Sequence, residues 1–364
     1  MNSRERFIKT VARELPDRLP LDLIWPRNET LNALKAHFRT DSLETVRQNL
    51  GVDFRWVPLP AEFPDFKKRV TGKLTGDAPG AGKEYVFHDA RTFEDEWGIV
   101  RRVGDDGKYV EWHNGPLKGK ETLSGWAPPR VEYAPLPAIK EKIKPFADLV
   151  TVAELDFPFK LAWHLCGFED FLVLMVLDPA FVDALYDRLY AFQTEKGVLA
   201  AKAGYDMIAV VGDIAGQTDM LFSPELFERY DAPRFSSLVK AVKAVKPDIK
   251  VFYHSDGNLE SVIPHLIRAG VDVLNPVQSA CMDPAEIKRK YGDRLTFHGT
   301  ISVQDTIPNG TAQDVRDEVV ERIRTVGYNG GLVVSPENSV PFDAPLENVL
   351  ALYETVREFD YRSL

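Results

Sequence analysis

Cysteine is scarce: the chain of 364 residues has two, Cys166 and Cys281, too few for a disulfide framework. No apolar run is long enough to span a bilayer, and no basic start followed by an apolar core reads as a secretory leader. Charge is not segregated, because 45 basic and 55 acidic residues are mixed along the chain to a formal net charge of −10. That balance argues against a nucleic-acid or anionic-membrane surface. No glycine-rich phosphate turn follows the first apolar strand, which removes the open dinucleotide-binding sheet. Neither CxxC nor HExxH spacing occurs, so no ready-made metal motif is present. The expectation is a cytoplasmic, enzyme-sized protein whose 44% hydrophobic content supplies a large core.

What is present is rhythm. Apolar, β-branched stretches at 19–25 and 52–57 read as two early strands, and 159–165, 207–211, 249–253, 271–275, 295–298 and 331–334 as six later ones. Most are followed by helical spacing, which implies parallel pairing through right-handed crossovers. Eight such units predict a (β/α)8 barrel, with residues 1–364 as a single domain. Residues 58–148 break the rhythm with glycines, prolines and short alternating segments. They read as an insertion holding a β-hairpin over 96–103 and 108–113, followed by a Pro-rich, aromatic stretch over 116–137. A lid over the carboxyl-end mouth is the functional reading of that insertion; a solvated, packing loop is the plain one.

In a barrel of this kind the chemistry sits at the carboxyl ends of the strands. Those ends carry His164 and Cys166, Asp213 and Gln217, His254 and Asp256, Asn275 and Gln278, His298, and then Ser335, Glu337 and Asn338. Alternation puts His254 and Asp256 on one face. An imidazole and a carboxylate converging in this way can bind a metal, pass a proton, or form an ordinary buried ion pair. As a metal site, His254 and Asp256 supply two ligands, and Glu337, Asn338 or Asp213 a third. Such an oxygen-rich set suits zinc or a harder divalent ion.

The blocks Gly212-Asp213-Ile214-Ala215-Gly216-Gln217, His254-Ser255-Asp256-Gly257-Asn258, Asn275-Pro276-Val277-Gln278, Phe297-His298-Gly299-Thr300 and Ser335-Pro336-Glu337-Asn338 together resemble the uroporphyrinogen decarboxylase superfamily. The resemblance runs from about 159 to the end of the chain, and implies the (β/α)8 fold. It implies one of two chemistries. Decarboxylases of the superfamily act without a cofactor and hold substrate carboxylates with an arginine-rich stretch after the first strand. Here that stretch keeps Arg27 alone, and a polycarboxylate needs clustered guanidinium partners. The cobalamin-dependent methyltransferases hold zinc with a His-x-Cys pair and a later Cys. His254 matches the histidine, whereas Asp256 and Asn338 stand where the two sulfurs belong, which argues against thiol alkylation.

The resulting expectation is a methyltransferase acting with a corrinoid protein on a small methylated substrate, methoxylated aromatics being one source. Asp213, His254, Asp256 and His298 are its catalytic candidates, and His164, Gln217, Asn275, Gln278 and Arg27 its substrate-binding candidates. His254, Asp256, Glu337 and Asn338 are the metal candidates, for zinc or another divalent ion. The alternatives are a carboxy-lyase needing no cofactor and a non-catalytic binding barrel. A homodimer is the assembly expected, with neither nucleic acid nor membrane as partner.

Overall fold

The structure is a computed structural model, and it describes residues 1–76 and 78–364. Its centre is a curled parallel sheet of seven strands. In chain order these are β1 (Phe54–Trp56), β2 (Val150–Asp156), β3 (Met207–Val211), β4 (Lys250–His254), β5 (Val273–Asn275), β6 (Thr296–His298) and β7 (Leu332–Val333). Each pairs with the next in parallel. The register sets Val211 beside His254 and His254 beside Asn275, so the polar ends of adjacent strands lie level.

The expected first strand over 19–25 contributes a single parallel bridge, Leu21 to Val334. The reason lies in its donors. Pro20 has no N–H, and the N–H of Leu21 goes to the Asp53 carboxylate at 2.7 Å instead of to a ladder. The segment still spans the two edges of the sheet. Asp22 N–H donates to the carbonyl of Val334 at 3.1 Å, and Asp53 N–H to that of Leu21 at 2.8 Å. The fully buried Asp53 also accepts from Arg6 and Arg18, both at 2.7 Å. The arrangement is an α/β fold consistent with the (β/α)8 barrel expected.

Alternation divides the strands between two cores. Phe54, Val150, Val152, Met207, Ala209, Phe252, Val273 and Val333 form an inner cluster with Phe7 and Val11 of the helix Ser3–Val11. Ile208, Val210, Val251, Tyr253, Leu274 and Phe297 face the helices. Continuing the inner parity toward the carboxyl ends reaches Glu154 and Asp156 on β2, His254 on β4, Asn275 on β5 and His298 on β6. The sheet's period alone therefore aims those polar groups inward at one end.

One expected strand is corrected. Residues 159–165 lie in the helix Pro158–Cys166, and the strand of that unit is the earlier Val150–Asp156, which the reading of 58–148 as insertion stopped just short of. Pro158 at the first helical turn is the local cause, because its fixed φ starts a helix and its missing N–H costs nothing there. Five short strands of the insertion form an antiparallel sheet, whose last pair, Val100–Val103 with Val110–Asn114, is the predicted hairpin. Its tip meets loops at the barrel's carboxyl end. The Lys108 ammonium lies 3.6 Å from the Phe342 ring centroid, and the Arg27 guanidinium 5.3 Å from that of Tyr109. The indole of Trp112 donates to the carbonyl of His164 at 2.7 Å. No helix among the described residues is long and apolar enough to cross a membrane.

Asp231 ends a single π-helical turn, Phe227–Asp231, and is fully buried. It accepts from the hydroxyls of Tyr190 at 2.8 Å and Tyr186 at 3.4 Å. Burial raises its carboxyl from 3.8 to about 7, against the pull of those two hydroxyls and Arg234. Between those values the folded chain keeps a proton that the unfolded chain has lost, so this group's contribution to stability falls as pH rises from about 4 to 7. Asp231→Asn should flatten that part of the melting-temperature profile. A wild-type slope retained in the variant would place its origin elsewhere.

Candidate active site

The loops after β3 and β4 bring Asp213 and Asp256 to His254, the last residue of β4, one donor atom of each lying within 4.8 Å of the others. The expected pair of His254 and Asp256 is thus a group of three. Asp213 Oδ1 lies 3.6 Å from His254 Nε2 and accepts the Asp256 backbone N–H at 3.1 Å. Lys160 Nζ approaches the other Asp213 oxygen at 3.4 Å. Asn338 donates to Asp256 Oδ2 at 2.7 Å, while the buried Asp256 Oδ1 has no partner. The turn that carries Asp256 needs glycine at 257, where φ is +94° and a Cβ would come within 2.3 Å of the Gly216 carbonyl. Gln278 holds the same turn by accepting the Gly257 N–H at 2.6 Å.

The protonation of His254 follows from its neighbours. The Asn275 amide donates to the main-chain carbonyl of His298 at 3.0 Å. A carbonyl only accepts, so the NH2 group faces His298 and Oδ1 faces His254 Nδ1, at 2.6 Å. His254 must therefore carry its proton on Nδ1. When neutral it presents a lone pair on Nε2 toward Asp213. Asn275 Nδ2 also donates to His298 Nδ1 at 3.0 Å, so that ring holds its proton on Nε2, which reaches Asp22 Oδ2 at 3.1 Å. Gly299 is what admits the amide, since a Cβ there would lie 2.6 Å from Asn275 Nδ2. His298 is fully buried and meets the three-residue cluster only through Asn275.

The two carboxyls are driven apart electrostatically. Burial pushes Asp213 up, but Lys160, His254 and the Asp256 N–H outweigh it and hold this carboxyl below its ordinary value. Burial raises Asp256 and the charge of Asp213 adds to the rise, against the pull of His254 and Asn338. The surroundings thus separate the two carboxyls, Asp213 lying below its ordinary value and Asp256 above it.

Trp25 walls the site. Its ring stands edge-on to His254 at 4.8 Å between centroids, its indole donates to Glu154 at 3.0 Å, and its carbonyl accepts from Ser339 at 2.9 Å. It holds φ at +40°, a conformation that costs a bulky residue about 1–3 kcal/mol. Beside it, a cavity of about 680 Å3 opens between the insertion sheet and the end of β2, with Lys160, His164, Glu154 and Trp112 in its wall. Burial, with Arg101 and Lys160 nearby, drives His164 down to about 2, so it is neutral.

The remaining candidates lie elsewhere. Glu337 is fully buried and accepts from Ser279 N–H at 2.8 Å and its hydroxyl at 3.1 Å, with burial raising it to about 7; it is not in the metal-competent group. Asn338 touches that group only through Asp256. Gln217 is exposed on the loop after β3, and Arg27 faces Tyr109. Lys160, Glu154 and Asp156 were not anticipated. The alternation of Val150 and Val152 ahead of Pro158 is the sequence signal that points to the last two.

The family profile described as uroporphyrinogen decarboxylase (URO-D) matches residues 136–359. A methylated-thiol–coenzyme M methyltransferase of Methanosarcina mazei is 26% identical over 231 residues, covering 61% of this chain and 57% of the relative. A uroporphyrinogen decarboxylase of Microcystis aeruginosa is 22% identical over 182 residues, 50% of this chain and 48% of that one. The chain thus spans about half the length of the curated relatives it matches. A solved structure of a methyltransferase from Methanosarcina mazei superposes with a TM-score of 0.69 at 18% identity, over 99% of both chains, and shares the fold.

The relay fixes a spectroscopic expectation. Nitrogen-15 spectra of the imidazoles should show His254 as the Nδ1–H tautomer and His298 as Nε2–H, and Asn275→Leu should abolish that assignment at His254. An Nε2–H signal at His254 in the wild type would contradict the geometry.

Proposed function

The chain belongs to the uroporphyrinogen decarboxylase family, and from that premise we propose that it transfers a methyl group between a small methylated substrate and a corrinoid carried by a partner protein. The observation that carries this reading is the group of Asp213, His254 and Asp256, with His254 Nε2 turned toward Asp213 and an unpartnered oxygen on Asp256. One neutral imidazole and two carboxylates fit a divalent ion that keeps an open position, zinc or a harder metal. Bound there, the ion supplies Lewis-acid activation of the substrate heteroatom that bears the methyl group. His254, Asp213 and Asp256 would hold it. Asn275 and Asn338 orient two of these ligands, the outer contacts on which metal affinity depends. Relatives named as methyltransferases support the reaction class.

The insertion serves here as a lid on a single barrel domain, excluding water from the mouth. Its contacts with Arg27, His164 and Phe342 support that role. The lyase reading relies on Arg27 to hold a carboxylate, and that guanidinium is engaged with Tyr109.

Two tests separate the parts of the proposal. Asp256→Asn should weaken metal retention, and Asp256→Cys, which rebuilds a His-x-Cys pair, should raise zinc affinity. Equal metal content in all three proteins after dialysis against a weak chelator would remove the metal. Methyl transfer to an added corrinoid protein, followed by absorbance, should be present in the wild type and lost in His254→Ala. Its absence with every methylated donor offered would remove the reaction.

A further inference from the structure

The cavity beside Trp25 has a charge pattern that narrows its ligand. Most of the charged groups in its wall are already paired. Arg101 binds Asp95, Lys67 binds Glu84, Lys160 faces Asp213 at 3.4 Å and Lys196 faces Asp156 at 3.9 Å. Two wall carboxyls, Glu96 and Glu154, have no cation within ion-pair distance among the described residues. One wall cation, Lys83, has no carboxylate within that distance among them but lowers both, so the unpaired groups leave one net negative charge. Glu154 reaches the cavity from the inner face of β2, with one oxygen tied to the Trp25 indole. The indoles of Trp97, Trp112 and Trp163 line the same space. Glu154 is exposed to this space and Glu96 half-buried beside it, so a ligand of opposite charge can meet both carboxylates from the cavity. Aromatic faces add to the hold on a diffuse cation.

We infer that this cavity binds a small organic cation of the alkylammonium class, with Glu154 and Glu96 as its charge partners and the tryptophans as its walls. The inference rests on the methyl-transfer reading, and within it replaces a neutral methoxylated donor with a methylated ammonium. Its nitrogen already carries the positive charge and so leaves without the Lewis-acid activation that a methoxyl oxygen needs. The volume, about 680 Å3, is that of a small-molecule site. Glu154 and Lys160 bring it up to the His254 cluster, through Trp25 on one side and Asp213 on the other. In the transfer the C–N bond breaks, the bonding pair stays on nitrogen, and the methyl group goes to the nucleophilic corrinoid of the partner. The amine is formed uncharged and then takes a proton from solvent, so its release follows from mass action and not from a loss of charge.

Binding is measured on the full chain without any corrinoid, so its outcome is independent of whether methyl transfer occurs. Tetramethylammonium, followed by calorimetry and tryptophan fluorescence, should bind the wild type and bind about tenfold more weakly to Glu154→Gln and to Glu96→Gln, each losing one charge partner. The pH profile supplies an arm that needs no variant. Burial, with Asp95 and Asp156 adding and Lys83 opposing, raises Glu96; burial and Asp156, against Trp25, Lys196 and Lys83, raise Glu154. Tetramethylammonium does not titrate, and His164 is neutral throughout. Affinity should therefore rise with pH above the ordinary carboxylate range. Absence of binding, a neutral dimethoxybenzene binding as tightly with no loss in either Gln variant, or a flat pH profile would each overturn the inference. Cation binding without methyl transfer would leave it standing and remove the proposed reaction.

Discussion

The site is built around one amide. Asn275 is held by a main-chain carbonyl that can only accept, and this choice propagates outward in both directions. Toward His254 it orients the ring and leaves Nε2 turned to Asp213; toward His298 and Asp22 it completes a buried chain of polar groups that ends on the Asp22 carboxylate. A buried polar network of this kind is favourable only when every member is satisfied. The direction in which His254 Nε2 points is thus a property of three adjacent strands, not of His254 alone.

That chain of bonds presupposes a sheet whose strand ends are level, and the sheet in turn depends on how its two edges are bridged. Asp53 does this with a side chain, taking the N–H of Leu21 and two guanidinium groups in a space no water reaches. The cost of burying its charge is offset because every oxygen lone pair finds a donor. The same bonds spare the Pro20 region from forming a full strand and leave Trp25 free to turn back over the mouth.

Much of this was legible in the sequence, and the failures have causes. Runs such as Met207–Val211 and Lys250–His254 are β-branched, short and closed by glycine and aspartate, so both their type and their polar ends could be read. The segment around His164 could not be read this way, because a short apolar run suits a strand or a buried helix equally. Only Pro158 decides it. Glu154 and Asp156 were hidden because charged residues on an inner face look like the end of a strand, whereas here they face a cavity. That cavity has walls from segments some sixty residues apart, a pairing that no local pattern encodes. The role of Asn275 needed a carbonyl position, and sequence does not contain one.

Gly299 ties the packing of this chain to its chemistry. A Cβ there would lie 2.6 Å from the Asn275 amide and 2.8 Å from the Pro336 carbonyl, at a φ of +70°. One missing side chain thus lets a turn after β6, the loop after β7 and the amide between two imidazoles share a single space. A methyl group at 299 would act as a wedge, prising the loop that carries Asn338 away from the strand end that carries His254.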